Sequence, residues 1–353
     1  MTPAFPTRGS LYRFISCILF FLVLPLGTSV IGYAPRSQMY RAVPNGAGPY
    51  PAIEKQIFES GPDIDVLFIG DSLLWSAIDI PYVKDVLSNQ LGRPATVMTF
   101  AGNWDGVDRY YVLLRDLLKH RRVKLAILSM PTPRHYIDKP HIQAFHWLRL
   151  GEDNEVFEGL PWSGKAAVYA EMMFGAPRQM LGRIRSDLVS EESTDESLLN
   201  GEEGLLGYRG SKFIEQTIDP PAISADSMIY SQANRSQFRF DGLPLGPLQR
   251  NFTRLLGKLI RESGIDAGIV HLPRISEVGL PTVDEREYWP NVFGADVSII
   301  GISSRELFRG KQQDEIEKYY YDEHFNANGK KLFTRTIVPA LLKLYAGSPA
   351  KTF

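Results

Sequence analysis

Between Arg13 and Arg36 the chain carries no charged side chain: Phe14–Pro35, FISCILFFLVLPLGTSVIGYAP, is a run of 22 uncharged residues. A helix of that length rises about 33 Å, close to the hydrocarbon thickness of a bilayer. Three fates are open to it: an uncleaved signal anchor, which is preferred, a signal peptide cut near Gly32-Tyr33-Ala34, or a buried core helix. Arg8 and Arg13 precede the run while Arg36 and Arg41 follow it, so charge asymmetry is weak. The default for a first helix then places the body outside the cytoplasm, in the periplasm or at the cell surface. Cys17, the only cysteine, lies inside the run and reads as a small lipid-facing residue. One thiol excludes an intrachain disulfide, a CxxC redox pair and a cysteine-rich zinc site.

Beyond this segment, residues 37–60 are rich in Pro, Gly and Tyr and read as a linker. An α/β domain is expected over 61–345, interrupted by an insertion at about 150–250. Asp65-Val-Leu-Phe-Ile69, ending at Gly70, is a short apolar run of the kind buried on both faces in a parallel sheet. Asp79, Pro81 and Gly92 bracket a helix with ordinary start and stop chemistry. The unit recurs as a strand over 96–100 and a helix carrying Val107, Tyr110, Tyr111, Leu114 and Leu117 on one stripe. Further strands are expected over 124–130, 266–271 and 297–300, with a helix around Phe252–Ile260 and a last one, interrupted by Pro339, after residue 329. Alternating strands and helices predict an α/β fold built on an open parallel sheet with helices on both faces. Arg109, Arg115, Arg121 and Arg122 are spread around one helix and its end, as on a solvated face. Within the insertion, residues 186–204 hold seven acidic and no basic side chains and read as a solvated loop.

Thirty-nine basic against forty acidic residues give a net charge of −1, which lacks the electrostatic footprint of a nucleic-acid binder. The strongest chemical signal is instead Gly70-Asp71-Ser72, at the carboxyl end of the first strand. Open α/β sheets bind ligands there, and a serine hydroxyl among backbone N–H groups has what an acyl-transfer nucleophile needs. A base must remove its proton. Tyr321-Asp322-Glu323-His324-Phe325-Asn326-Ala327-Asn328-Gly329 lies in a loop after the last sheet strand and reaches the same edge. It can therefore bring His324 to Ser72, with Asp322 orienting the imidazole. Trp75 and Trp104 follow the first two strand ends, where each either stacks on a sugar ring or packs in the core. His135, His141 and His146 do not match zinc-ligand spacing; following the third strand, they are expected at the crevice rim.

The pattern resembles the SGNH (GDSL-type) hydrolase family over roughly residues 60–135 and 250–345. Its first block is matched by Gly70-Asp71-Ser72, its second-block glycine by Gly102 and its final block by His324. The resemblance implies a three-layer, flavodoxin-like sheet and a catalytic set of Ser72, Asp322 and His324. It also implies an oxyanion hole from the backbone of Ser72 and Gly102, with Asn103 as a further donor. Two departures stand out. The third-block asparagine is absent from Ser129-Met-Pro-Thr-Pro-Arg-His135, where Asn103, Thr132 or Arg134 is a substitute. The carboxylate stands two residues before the histidine rather than three. That Asp-x-His spacing is similar to the membrane-associated branch that O-acetylates exported polysaccharides such as alginate, and Asp-x-His-Phe-Asn-x-x-Gly is similar to the protein of lipoteichoic-acid D-alanylation.

The implied function is a membrane-anchored serine esterase or O-acyltransferase working through an acyl-serine on a cell-envelope or exported polysaccharide. Trp75, Trp104, Arg134 and His135 would bind substrate, a membrane acyl-donor protein is an implied partner, and neither metal nor other cofactor is required. The alternative is a non-catalytic glycan-binding or scaffold subunit of an envelope assembly; a plain lipid or small-ester hydrolase is a third.

Overall fold

The computed structural model describes residues 7–43, 48–104, 106–129, 139–141, 143–185, 220–230, 246–277 and 297–347. Arg134, His135, Thr132 and the acidic stretch 186–204 lie outside them. The apolar run forms α1, Arg8–Ile31, started by reciprocal hydrogen bonds between Thr7 and Ser10. With a mean hydropathy of 2.4 over its most apolar stretch, α1 is long and apolar enough to cross a membrane, and only Leu24, Pro25 and Thr28 are buried. The Thr28 hydroxyl turns back onto the carbonyls of Leu24 and Pro25, which satisfies its donor within the helix.

The expected linker is part of the core. Helices α2 (Arg36–Arg41) and α3 (Tyr50–Phe58) follow α1, and Met39, Tyr40, Val43, Tyr50, Ile53 and Ile57 are buried. Its tyrosines explain the difference: the Tyr40 and Tyr50 rings lean on Trp147 at centroid distances of 5.7 and 5.4 Å, and the Tyr40 hydroxyl donates to Asp116 at 3.0 Å. Composition that reads as a connector instead supplies large aromatic surface.

The α/β rhythm follows as β1 (Ile64–Gly70), α4 (Ser72–Ala77), α5 (Ile80–Leu91), β2 (Val97–Ala101), α6 (Val107–Leu118) and β3 (Val123–Ser129). After α7 (Asn154–Glu158), α8 (Trp162–Ile184) and β4 (Ile229–Tyr230) come α9 (Pro247–Ser263), β5 (Asp266–Val270) and β6 (Ser298–Ile300). Two short helices, α10 (Ser304–Leu307) and α11 (Gln313–Ile316), precede a hairpin of β7 (Tyr320–Tyr321) and β8 (His324–Phe325) and the last helix, α12 (Ala327–Gly347). The helix α12 runs unbroken through Pro339.

Strand order is β2-β1-β3-β5-β6-β4, with five strands parallel and β4 antiparallel on the β6 edge. All seven residues of β1 are buried. Their alternation divides the core: Leu67 and Ile69 join a cluster with α3, α6 and α9, whereas Val66 and Phe68 join another with α4, α5 and α12. The chain leaves β1 for one side of the sheet and returns from β2 to the other, so the topological switch lies between the carboxyl ends of β1 and β3.

The arginines of α6 are not solvated. Arg109, Arg115 and Arg121 are buried, and only Arg122 is exposed. The sheet takes the apolar stripe of α6, and α3, α9 and the 144–156 region cover its other sides, where Arg115 pairs with Asp153 and Arg121 donates to the carbonyls of Gln56 and Pro62. A stripe of hydrophobic residues identifies one buried face of a helix; it carries no information about what packs on the opposite one.

Candidate active site

At the switch point, Gly70 ends β1 where no larger residue fits: a Cβ there would lie 2.1 Å from Ser129 Oγ and 2.5 Å from Leu74 Cδ2. Asp71 then caps α4, accepting from the N–H groups of Leu73 and Leu74 at 3.1 Å each, and Ser72 becomes the first residue of that helix. The chain turns sharply and leaves the hydroxyl at the carboxyl edge of the sheet.

The histidine arrives by a separate set of constraints. Tyr320 pairs with Phe325 and Tyr321 with His324 across a two-residue turn in which Asp322 has φ 54°, a left-handed conformation that aspartate tolerates better than most residues. Asn326 Oδ1 accepts from the N–H groups of Asn328 (2.9 Å) and Gly329 (3.1 Å), starting α12, while its Nδ2 donates to Lys318 O at 2.8 Å. Phe325 stacks between Tyr320 and Phe333, at 4.7 and 5.4 Å. Gly329 passes so close to this turn that a Cβ would lie 2.2 Å from Tyr319 O. Each residue of His324-Phe-Asn-Ala-Asn-Gly329 other than Ala327 thus has a steric or hydrogen-bonding reason for its identity or place. Thr334, one turn further into α12, accepts from Asp79 N (2.9 Å) and donates to Ala77 O (3.0 Å). That hydroxyl ties the helix after the histidine to the helix after the serine.

The result is a hydrogen bond of 2.9 Å between Ser72 Oγ and His324 Nε2, across 252 residues of sequence. His324 is half-buried, and its pKa lies below the ordinary histidine value chiefly because burial disfavours the imidazolium. Asp71 is the strongest charge acting against that shift, followed by Asp322, while Arg274 reinforces it. At neutral pH the ring is therefore uncharged and able to take a proton. Asp322 is exposed, and its charge acts on the ring. Neither Asp71 nor Arg274 is marked in the sequence as a charge acting on the histidine. Asp71 reads locally as a cap, and Arg274 comes close only because its loop is held to the hairpin by Tyr320 to Pro273 O (3.1 Å) and Ser276 to Glu323 (2.9 Å).

Beneath the two loops lies a brace that sequence reasoning missed. Arg109 is buried and donates to Gly70 O (2.5 Å), Asn103 O (3.1 Å) and the Tyr50 hydroxyl (3.0 Å). One guanidinium therefore fixes the carboxyl ends of both β1 and β2. His141 is buried as well, not at a rim: Nδ1 accepts from Gln143 N (3.0 Å), so Nε2 carries the hydrogen and donates to Asn103 O (3.3 Å). Burial, with Arg109 nearby, pushes its pKa down to about 3. His146 is buried too, with a pKa pushed down to about 3 by burial and then by Arg178.

Gly102 is buried beside Ala101, which pairs with Gly70, and Asn103 is half-buried with its carbonyl held by Arg109 and His141. The aromatic pair divides. Trp75 is 5% exposed, a core residue with little face to offer a sugar, so the expectation of a platform there is not met; Trp104 is 52% exposed. Trp104 also has φ 63°, a left-handed conformation costing about 1 kcal/mol for a bulky residue. Fold and site together define an open parallel α/β protein carrying a serine–histidine pair at its topological switch point. Compared with known proteins, the chain matches no family model and no curated relative.

Proposed function

We propose that the protein is a membrane-anchored serine esterase or O-acyltransferase of the SGNH type, its α/β domain outside the cytoplasm, acting on a cell-envelope or exported polysaccharide. The observation that carries this reading is the 2.9 Å hydrogen bond between Ser72 Oγ and a neutral-leaning His324 Nε2 at the carboxyl edge of a parallel sheet. Helices packed against both faces of that sheet support the three-layer arrangement, and the apolar helix α1 supports the anchor.

In this reading His324 Nε2 takes the hydroxyl proton as Ser72 Oγ bonds to an ester carbonyl carbon. The negative charge gathers on the carbonyl oxygen, facing the N–H groups of Ser72 and Gly102. Collapse breaks the ester C–O bond, and the alcohol leaves with the proton from His324. Water or a sugar hydroxyl then gives a proton to His324 and attacks the acyl carbon; the acyl carbon–Oγ bond breaks and His324 returns the proton to Ser72 Oγ. Asp71 and Asp322 stabilise the transient imidazolium. Arg109 holds the two loops so that little rearrangement accompanies the charge. A membrane acyl-donor protein would supply the acyl group in the transfer direction.

A fluorophosphonate probe tests the nucleophile: the wild-type protein is labelled and Ser72→Ala is not. Acetylated oligosaccharide offered beside short-chain aryl esters then separates a glycan enzyme from a small-ester hydrolase. Absence of labelling would leave the non-catalytic glycan-binding subunit as the better account, and a Ser72→Ala protein with full esterase and transferase activity would overturn the assignment of Ser72 as nucleophile.

A further inference from the structure

Helix α8 has two apolar faces, and the protein covers only one. Val168, Met172, Gly175 and Gln179 are buried against the body, yet Trp162, Phe174, Leu181 and Ile184 are 86%, 73%, 40% and 76% exposed. At about 100° per residue, these four fall within an arc of about 120°, roughly opposite the buried face. All four charged residues of the helix, Lys165, Glu171, Arg178 and Arg183, fall outside that arc. Water gains nothing from an uncharged stripe that rises about 33 Å from Trp162 to Ile184, and a patch this continuous marks a surface with a partner.

The neighbour of α8 identifies that partner. The Tyr169 hydroxyl donates to Leu22 O at 2.6 Å, midway along α1, and the Arg183 guanidinium lies against Gly32, just past its end. Leu24, Pro25 and Thr28, the buried residues of α1, lie between those two points. From Leu22 to Gly32 a helix rises about 15 Å, which is one leaflet of hydrocarbon. Both helices present uncharged surface outward over this stretch, so a medium that solvates α1 also meets the open face of α8. Arg178 donates to Ala42 O at 2.8 Å and Arg183 sits level with the end of α1, which puts cations where headgroups begin.

We infer that α8 is a second membrane element, sunk beside α1 in the leaflet that adjoins the body, with its Phe174–Leu181–Ile184 face against lipid acyl chains. The inference does not depend on the catalytic reading. It makes the protein monotopic as well as anchored: the α/β domain is held at a defined height and orientation on the bilayer instead of swinging on a tether. It also accounts for residues 33–43 being built into the core, because a stiff connection is needed if α1 and α8 are to enter the membrane together.

Depth-dependent quenching tests it on the full chain. In a Cys17→Ser background, Phe174→Cys, Leu181→Cys and Ile184→Cys are each labelled with an environment-sensitive fluorophore and reconstituted in phosphatidylcholine–phosphatidylglycerol vesicles. Leu19→Cys in α1 and Glu262→Cys in α9 serve as lipid and water references. Because the three α8 positions are exposed, no core packing is lost. The expected result is quenching by doxyl-labelled lipid like Leu19→Cys, and protection from aqueous iodide by about tenfold relative to Glu262→Cys. If the α8 labels follow Glu262→Cys, the helix lies in water and the inference falls. If they are shielded from both quenchers, another protein or a second copy covers the face, and it falls equally.

Discussion

His324 and His141 show one side chain put to opposite uses about the same sheet edge. His141 has both ring nitrogens committed to backbone, one accepting from Gln143 and one donating to Asn103, inside a fully buried shell. His324 is half-buried, its Nε2 is engaged by a hydroxyl, and acidic side chains oppose the effect of burial on its charge. Complete burial with backbone partners makes an imidazole a fixed strut. Partial burial with a protic partner makes one that can exchange a proton. The difference lies in what surrounds each ring.

The comparison breaks most decisively at the reactive side. Ser72→Ala and His324→Ala are each expected to lower kcat/KM by at least about a thousandfold. Because neither side chain is a core filler, thermal unfolding midpoints should stay near wild type. A large drop in midpoint would mean that the pair is structural.

Next comes the brace. Arg109→Met removes three hydrogen bonds from buried acceptors and should cost about 3 kcal/mol or more in urea unfolding, with a loss of activity alongside. Tyr50→Phe, which removes only the hydroxyl partner, should cost about 1 kcal/mol and leave Gly70 and Asn103 held. Equal effects of the two would contradict a role in fixing the strand ends.

A smaller effect separates the charges around His324. In the proposed mechanism its neutral form is the base, so the acid limb of the kcat/KM profile is expected below the ordinary histidine range. Asp71→Asn and Asp322→Asn each remove a charge that favours the imidazolium, so both move the limb to lower pH. The buried Asp71 should move it further. Loss of the exposed Asp322 should cost less than about tenfold in kcat, and its effect should shrink with added salt. Arg274→Gln moves the limb the other way.

The smallest effect on turnover belongs to the strut. His141 and His146 remain neutral in the native protein down to about pH 3, whereas in the unfolded chain they take up protons below about 6.5. Stability therefore falls as pH drops through this window, and neither group adds pH dependence above it. A His141→Gln/His146→Gln variant should show a shallower fall in unfolding free energy between pH 6 and 4, with kcat at neutral pH within a few-fold of wild type. An unchanged slope would place the acid sensitivity elsewhere.

Much of this molecule is local chemistry. The apolar run, the buried strand Asp65–Ile69, the Asp79 cap and Gly92 stop, and the turn signals around Ser72 and His324 each act over a few residues. Their physical cause is therefore contained in the chain itself. Even Gly70 and Gly329 stand in sequence as recognisable punctuation. What needed tertiary structure was every property defined by a neighbour distant in sequence. The Ser72–His324 contact depends on Thr334 joining α12 to the end of α4, and three of the four arginines expected in solvent are buried because other segments cover α6 on the side away from the sheet. The same logic turns Trp75 inward and leaves Trp104 out, and it makes Asp71 a helix cap by sequence and an electrostatic partner of His324 in the folded protein. Backbone preference and periodicity are set within a turn or two of helix, whereas burial and pKa are set by whatever the completed fold brings within a few ångströms.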